Sequence, residues 1–199
     1  MSDETLLEAW RAGDTQAGRA LYERHAGAVA RFFENKVRTN TADLVQQTFV
    51  GLLESHDRIR DPTKLRAYLL GIAFRVFRAH LRKQARGREV DLDAETSATH
   101  DPGPSTVAAH RREQRLLLEA LRRLPIRHQT VLELHYWEEL NAAEIAKIVG
   151  VSHSAVRTRL STARTVLADE MAKIERSREL IESTTAGLDR WARELREKT

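Results

Sequence analysis

Residues 141–157 read NAAEIAKIVGVSHSAVR, and this stretch decides the fold of the second half of the chain. Ala146 is small at a point where two helices must approach closely. Gly150 can adopt the positive φ of a tight turn, and Ser152 is a good N-cap for a following helix. The apolar residues at helical spacing are Ile145, Ile148, Val156 and Leu160. The stretch predicts two short helices that pack together across a turn.

This pattern resembles a helix-turn-helix, which places its second helix in the major groove of DNA. No Asp or Glu occurs from 151 to 168, so the second helix would bring no carboxylate close to phosphates. The polar and basic residues expected on its exposed side, or near it, are His153, Ser154, Arg157, Thr158, Arg159, Ser161 and Arg164. The alternative interpretation is an ordinary helical hairpin with a basic, solvated face.

A second basic segment lies at residues 64–88, which hold eight Lys and Arg and no acidic residue. Its arginines recur at steps of three or four and therefore share a helical face: Arg75, Arg78, Arg82 and Arg86. The aromatic residues between them are Tyr68, Phe74 and Phe77. Such a row can follow a phosphate backbone, and such rings can stack on unpaired bases. Core packing is the alternative for the rings, and it is our expectation for Phe77.

The rest of the chain predicts an all-α fold of two small helical domains joined by a flexible acidic linker. One stripe of a 3.6-residue period holds Leu44, Val45, Thr48, Phe49, Leu52 and Leu53. Residues 89–109 hold five acidic and no basic side chains and include the sequence DPGPST, which is typical of a linker. The predicted segments are a first domain at 1–88, a linker at 89–108, a second domain at 109–171 and a helical tail at 172–199.

Composition excludes several classes of site. The 199 residues contain no Cys, and the eight His form no metal-binding pattern, so we expect no disulfide, no metal site and no cofactor. We recognise no catalytic motif and predict no enzyme activity. The longest apolar runs are too short to span a membrane, and the acidic start is unlike a signal peptide. We therefore expect a cytoplasmic protein without a membrane segment.

Four stretches, taken in order, are similar to the extracytoplasmic-function (ECF) sigma factors, the minimal sigma-70-type subunits of bacterial RNA polymerase. They are residues 21–25, 42–49, 65–73 and 121–164. The resemblance implies a sigma region 2 bundle at 1–88 and a region 4 helix-turn-helix at 109–171. It also implies that the chain directs core polymerase to promoters and assists strand opening, without catalysis of its own.

The resemblance further assigns residues to three surfaces. The residues that it implies for docking on the clamp helices of the polymerase β′ subunit are Asp43, Leu44, Gln46, Gln47 and Phe49. The residues that it implies for capture of the −10 element are Lys64, Arg66, Tyr68, Phe74, Arg75, Arg78 and Arg82. Region 4 would sit on the β-flap and read the −35 element with Ser154, Arg157, Thr158, Ser161 and Thr162, flanked by Ser152, His153 and Arg164.

One departure from the family concerns charge. The family usually has several acids before the Leu-Val-Gln run, whereas residues 40–43 read NTAD and hold one. A subgroup with this depletion is controlled by a Ser/Thr kinase, and a phosphate adds about −1.5 to −2 charge. The candidate acceptors are Thr63, Thr41, Thr39 and Thr48, of which we favour Thr63 because it lies in an exposed break beside basic residues. The other candidate regulator is an anti-sigma factor.

Parts of the sequence also fit two other functions. A stand-alone helix-turn-helix regulator would explain residues 141–157, but it leaves the basic segment at 64–88 and the long linker without a role. A single-stranded nucleic-acid binding module would explain the basic segment alone.

Overall fold

The structure, a computed structural model, describes residues 1–37, 40–85, 112–175 and 178–197. Within these ranges the chain forms ten α-helices and two short 3-10 helices, and it forms no β-strand. The all-α prediction is therefore confirmed. The helices group into two compact units, the first four in one and the last six in the other. The linker predicted at 89–108 lies outside the described residues.

The first unit is built on four helices, each of which matches an apolar pattern in the sequence. They are α1 (Asp3–Arg11), α2 (Thr15–Glu34), α3 (Thr41–Leu53) and α4 (Leu65–Gln84). Helix α1 begins after the N-cap Ser2, whose hydroxyl accepts a hydrogen bond from the Thr5 amide at 3.2 Å. The largest fully buried side chains of this unit include Leu7, Leu21, Phe33, Leu65, Leu69 and Phe77.

Helices α3 and α4 pack closely because Gly51 has no side chain at their contact. A Cβ atom at Gly51 would lie 2.9 Å from Cγ2 of Ile72. The connection between the two helices is anchored on α1, since the Arg11 guanidinium donates hydrogen bonds to the carbonyls of His56 (2.7 Å) and Ile59 (2.6 Å). The connection thus returns the chain to α4 in a fixed position.

The second unit contains the predicted helix-turn-helix. Its helices are α5 (Arg112–Arg123), α6 (Ile126–Tyr136), α7 (Ala142–Val149), α8 (His153–Ile174), α9 (Arg178–Ala186) and α10 (Leu188–Glu197). Asn141 and Glu144 form a capping box at the start of α7. Gly150 ends α7 with φ 74°, and the Ser152 hydroxyl accepts a hydrogen bond from the Ala155 amide at 3.1 Å to cap α8. These roles of Gly150 and Ser152 agree with the sequence analysis.

The last two helices pack on this unit, with α9 against α5 and α8, and α10 against α6. Leu188, Trp191 and Ala192 of α10 are buried. The Gln114 amide donates a hydrogen bond to Glu194 at 2.9 Å, which ties α10 to α5 as well. The tail therefore contributes to the core of the second unit.

A buried polar cluster also belongs to the second unit, with which residues 34–37 group. The Lys36 ammonium donates a hydrogen bond to the carboxylate of Glu133, and both side chains are buried. The Gln129 amide donates to the Asn35 carbonyl at 3.1 Å and to Glu133 at 2.9 Å. Burial lowers the pKa of Lys36 and raises the pKa of Glu133. Such a buried ion pair adds little net stability, because the desolvation of the two charges offsets much of their attraction.

Candidate nucleic-acid interface

The side chains that the sequence analysis assigned to the −35 site lie together on one surface, which we call the α8 face. Each of its eight members is exposed to solvent: Ser152, His153, Ser154, Arg157, Thr158, Ser161, Thr162 and Arg164. They span about three turns of helix from the N-cap onward. The first acidic residue of α8 is Asp169, so a phosphate approaching the α8 face meets no carboxylate of that helix.

The opposite side of α8 fixes the position of this face. Its buried residues are Val156, Leu160, Ala163, Leu167 and Met171, and the helix packs against α5, α6 and α7. The free amides at the start of α8, together with its helix dipole, favour an anionic partner at this end. The arrangement therefore presents a rigid, acid-free helix face whose N-terminal end can enter a DNA groove.

Arg164 is held by a contact that the sequence analysis did not anticipate. Its Nε donates a hydrogen bond to the Tyr136 hydroxyl oxygen at 2.7 Å, and the guanidinium carbon lies 5.6 Å from the centre of the tyrosine ring. Tyr136 is the last residue of α6, 28 positions earlier in the chain. No local pattern could have paired the two residues, because only the packing of α6 on α8 brings them together.

The basic segment of the first unit forms a second surface on α4. Arg75, Arg78 and Arg82 are all exposed and share one helical face, and we call these three residues the α4 row. Lys64 is exposed just before α4 and lies 3.0 Å from the carboxylate of Asp61. The α4 row can follow a phosphate backbone for about two turns.

Among the aromatic residues of α4, Phe77 lies in the core as expected, whereas Phe74 differs from the expectation of stacking. Phe74 is 5% exposed and Phe77 is fully buried, so both rings belong to the core of the first unit. Tyr68 is half-buried, as is Arg66. The Arg78 guanidinium lies 6.0 Å from the centre of the Phe74 ring. Tyr68 therefore keeps part of its side chain accessible to solvent, whereas Phe74 does not.

Helix α3 exposes a mixed polar and apolar surface. Besides Ala42, its exposed residues are Asp43, Gln46, Gln47, Val50 and Leu53, and we call these five the α3 surface. Val50 is 45% and Leu53 56% exposed, so two large apolar side chains three residues apart lie on the surface of the same helix.

Two residues predicted to dock on polymerase are less exposed. Leu44 is buried in the core, and Phe49 is half-buried beside the exposed ring of Tyr22, with ring centres 4.6 Å apart.

The candidate phosphorylation site lies in the turn before α4. Thr63 is exposed, and its hydroxyl donates a hydrogen bond to Asp61 Oδ1 at 2.5 Å. Hydrogen bonds from Thr63, and then from Lys64, lower the pKa of Asp61. Thr48 is buried and its hydroxyl donates to the Leu44 carbonyl, which makes it a poor acceptor. Thr41 is half-buried, and Thr39 lies outside the described residues.

No group of three or more His, Asp or Glu side chains in the described ranges is arranged to hold a metal ion. In the same part of the chain, no helix is long and apolar enough to cross a membrane.

Comparison with known proteins gives the same two units. Residues 21–87 match the family Sigma-70 region 2, and residues 114–167 match the family Sigma-70, region 4. RNA polymerase sigma factor CarQ of Myxococcus xanthus is 30% identical over 176 residues, which cover 85% of this chain and 97% of CarQ. The chain belongs to the sigma-70 family, in its ECF group.

Two further similarities agree with the family. Probable RNA polymerase sigma factor RfaY of Xanthomonas campestris is 29% identical over 65% of this chain, which spans 33% of that protein. The structure of the sigma factor RpoE in complex with the anti-sigma factor NepR, from Bartonella quintana, shares the fold. Its TM-score is 0.61 at 19% identity, and the match covers 77% of this chain and 96% of that one.

This membership identifies the chain as an RNA polymerase sigma factor, whose region 2 carries the α3 surface and the α4 row and whose region 4 carries the α8 face. Helices α9 and α10 lie beyond the region 4 match. The sequence analysis missed Tyr136, Val50 and Leu53 as residues of these surfaces. The stripe of six residues in ten that includes Leu53 is wide for one buried face, which signals that part of it is exposed but not which member.

Proposed function

We propose that this sigma factor reads its promoters with the α8 face at the −35 element and the α4 row at the −10 element. The observation that supports this most is the α8 face, where eight exposed polar or basic side chains follow a tight turn without an acidic residue. In this arrangement, residues near the start of α8 contact base edges, and those farther along contact phosphates. Acting on promoter DNA with polymerase, the protein would work in the cytoplasm.

In region 2, the α4 row would hold the backbone of the melted −10 strand. Lys64 and Arg66 precede it in the chain, and the half-buried ring of Tyr68 would contact an unpaired base. Phe74 would not contact DNA itself, and its role would be to pack from the core against the guanidinium of Arg78. Strand opening then depends on captured bases and neutralised phosphates, and it needs no catalytic group in the sigma factor.

The α3 surface would dock on the β′ clamp helices. Its apolar part, Val50 and Leu53, would be removed from water on binding, and Asp43 would meet a basic clamp residue. Gln46 and Gln47 supply polar contacts between these two ends. Leu44 would act from the core by fixing the position of α3. Region 4 would make a second contact with core polymerase, at the β-flap.

We also propose that phosphorylation of Thr63 by a Ser/Thr kinase activates the protein. The single acid in residues 40–43 leaves α3 with little negative charge for a basic clamp. Thr63 is exposed, and its hydroxyl contacts Asp61. A phosphate there would replace a donor with a dianion beside that carboxylate, so the Asp61 contact would break and the turn would present new negative charge.

An anti-sigma factor is the second candidate regulator, because the similar RpoE was solved with one. The stand-alone helix-turn-helix regulator is not favoured, since it accounts for the region 4 match but not for the match to region 2.

In vitro transcription with core polymerase and genomic promoter fragments tests both parts of the proposal. The full chain should start transcripts at specific sites, and treatment with the cognate kinase should increase them. Thr63→Ala should not respond to the kinase, whereas the control Thr41→Ala should respond as the wild type does. Absence of transcripts in every phosphorylation state would overturn promoter recognition. Full activation of Thr63→Ala would overturn only the switch.

A further inference from the structure

The contact between Tyr136 and Arg164 leaves several donors of the pair unused. Because the Tyr136 hydroxyl oxygen accepts the Nε proton of Arg164, its own O–H remains available to another acceptor. The terminal amino groups of Arg164 donate to no residue that the structure describes. One hydroxyl and two guanidinium nitrogens therefore lie close together, where the half-buried Tyr136 meets the exposed Arg164.

The tyrosine ring is held in place by the turn that ends α6. The Leu140 amide donates to the Leu134 carbonyl at 3.0 Å, and Glu139 adopts φ 55° between them. The His135 ring packs edge-on against Tyr136, with ring centres 4.9 Å apart, while its Nδ1 lies 3.1 Å from the Leu140 carbonyl oxygen. Arg164 is thus bound by a fixed partner, which reduces the side-chain entropy that it loses on binding.

The position of the pair on α8 indicates its ligand. Arg164 lies seven residues after Arg157 on the same face, roughly 10 Å farther along the helix axis. When the start of a recognition helix contacts bases, side chains two turns later leave the groove and meet the DNA backbone. A phosphate only accepts hydrogen bonds and carries negative charge, which matches a converging hydroxyl and guanidinium.

We propose that Tyr136 and Arg164 form a joint site for one backbone phosphate of the −35 element, to which the Tyr136 hydroxyl and the Arg164 guanidinium both donate hydrogen bonds. This inference rests on the proposed −35 contact of the α8 face. The site connects the end of α6 to the DNA surface of α8, so that α6 takes part in promoter binding although it lies outside the helix-turn-helix.

The test is a double-mutant cycle on the full chain in holoenzyme, with promoter binding as the readout. Tyr136→Phe keeps the ring and removes the hydroxyl, and we expect it to weaken binding roughly threefold to tenfold. Arg164→Ala should weaken binding roughly tenfold or more. The loss of binding free energy in the double variant should be clearly smaller than the sum of the two single losses. Lys173→Ala is the control, since it removes a charge from the end of the same helix, where Lys173 pairs with Glu170.

A second readout identifies the phosphate. Neutral methylphosphonate groups are placed at single positions of the −35 DNA, and one position should weaken wild-type binding. At that position Tyr136→Phe and Arg164→Ala should show little further loss. Additive effects of the two substitutions, with unchanged thermal unfolding, would overturn the joint site, as would the lack of any such position. Failure of the wild type to start transcripts would instead overturn the −35 proposal itself.

Discussion

At the residue scale, Arg157 lies near the start of the α8 face, where the proposed recognition helix contacts bases. Arg157→Ala should weaken promoter binding by about 1–3 kcal/mol and relax the preference at one base pair, because a guanidinium donates two hydrogen bonds to a guanine. Selection of promoters from a randomised −35 library with holoenzyme measures both effects. The half-buried Arg159 is the matched control. Unchanged promoter choice would show that the register of the α8 face is wrong.

His25 makes the stability of region 2 depend on pH. Burial lowers the pKa of His25, although Asp3, whose carboxylate lies 2.8 Å away, partly opposes this. Burial alone would raise the pKa of Asp3, but hydrogen bonds from Arg24 and His25 lower it overall. The unfolded chain therefore takes up a proton near pH 6.5, before folded His25 does. We therefore expect the contribution of His25 to the free energy of unfolding to be fully present above that pH and to decrease as the pH falls below it.

Urea unfolding from pH 7.5 to pH 5 measures this dependence. Wild type should lose stability as the pH falls, and His25→Gln should lose less because the variant cannot bind the extra proton in its unfolded state. The contribution of Asp3 appears only below about pH 4, since its folded pKa is lowered. Parallel curves for wild type and variant over the whole range would contradict this account of His25.

At the scale of one element, α3 offers two neighbouring leucines with opposite roles. Leu52 is 2% exposed and Leu53 is 56% exposed. Leu52→Ala should lower the free energy of unfolding by about 2–5 kcal/mol, because it leaves a cavity in the core. Leu53→Ser should change it by less than about 0.5 kcal/mol yet weaken association with core polymerase. Urea unfolding and a core-binding assay separate the two effects. Normal core binding by Leu53→Ser would show that Leu53 takes no part in docking.

The same helix shows how far the sequence determines the structure. The apolar stripe at 44–53 predicted α3, and Gly150 and Ser152 predicted the turn between α7 and α8, because periodicity, caps and turns are local. Which side of an apolar helix is buried depends on its neighbours. Phe74 and Leu53 were therefore assigned to the wrong environments, and the Tyr136–Arg164 contact, which joins two helices, could not be predicted at all.

At the scale of the whole molecule, the two proposed DNA surfaces belong to separate compact units with their own cores. Substitutions in residues that share no partner add in free energy, within about 0.3–0.5 kcal/mol. Arg78→Ala in the α4 row and Arg157→Ala in the α8 face should therefore weaken holoenzyme binding independently. This contrasts with Tyr136 and Arg164, which share one contact.

Salt dependence tests this independence together with the ionic character of both surfaces. Each phosphate contact contributes about 0.9 to the slope of log K against log salt on duplex DNA and about 0.7 on single strands. Arg78→Ala should reduce the slope if it contacts the melted strand. Arg157→Ala should change base preference more than the slope, because its proposed contact is to a base. If the double variant loses much less binding free energy than the two single variants lose together, one surface engages DNA only after the other. Recognition of the two promoter elements would then be sequential.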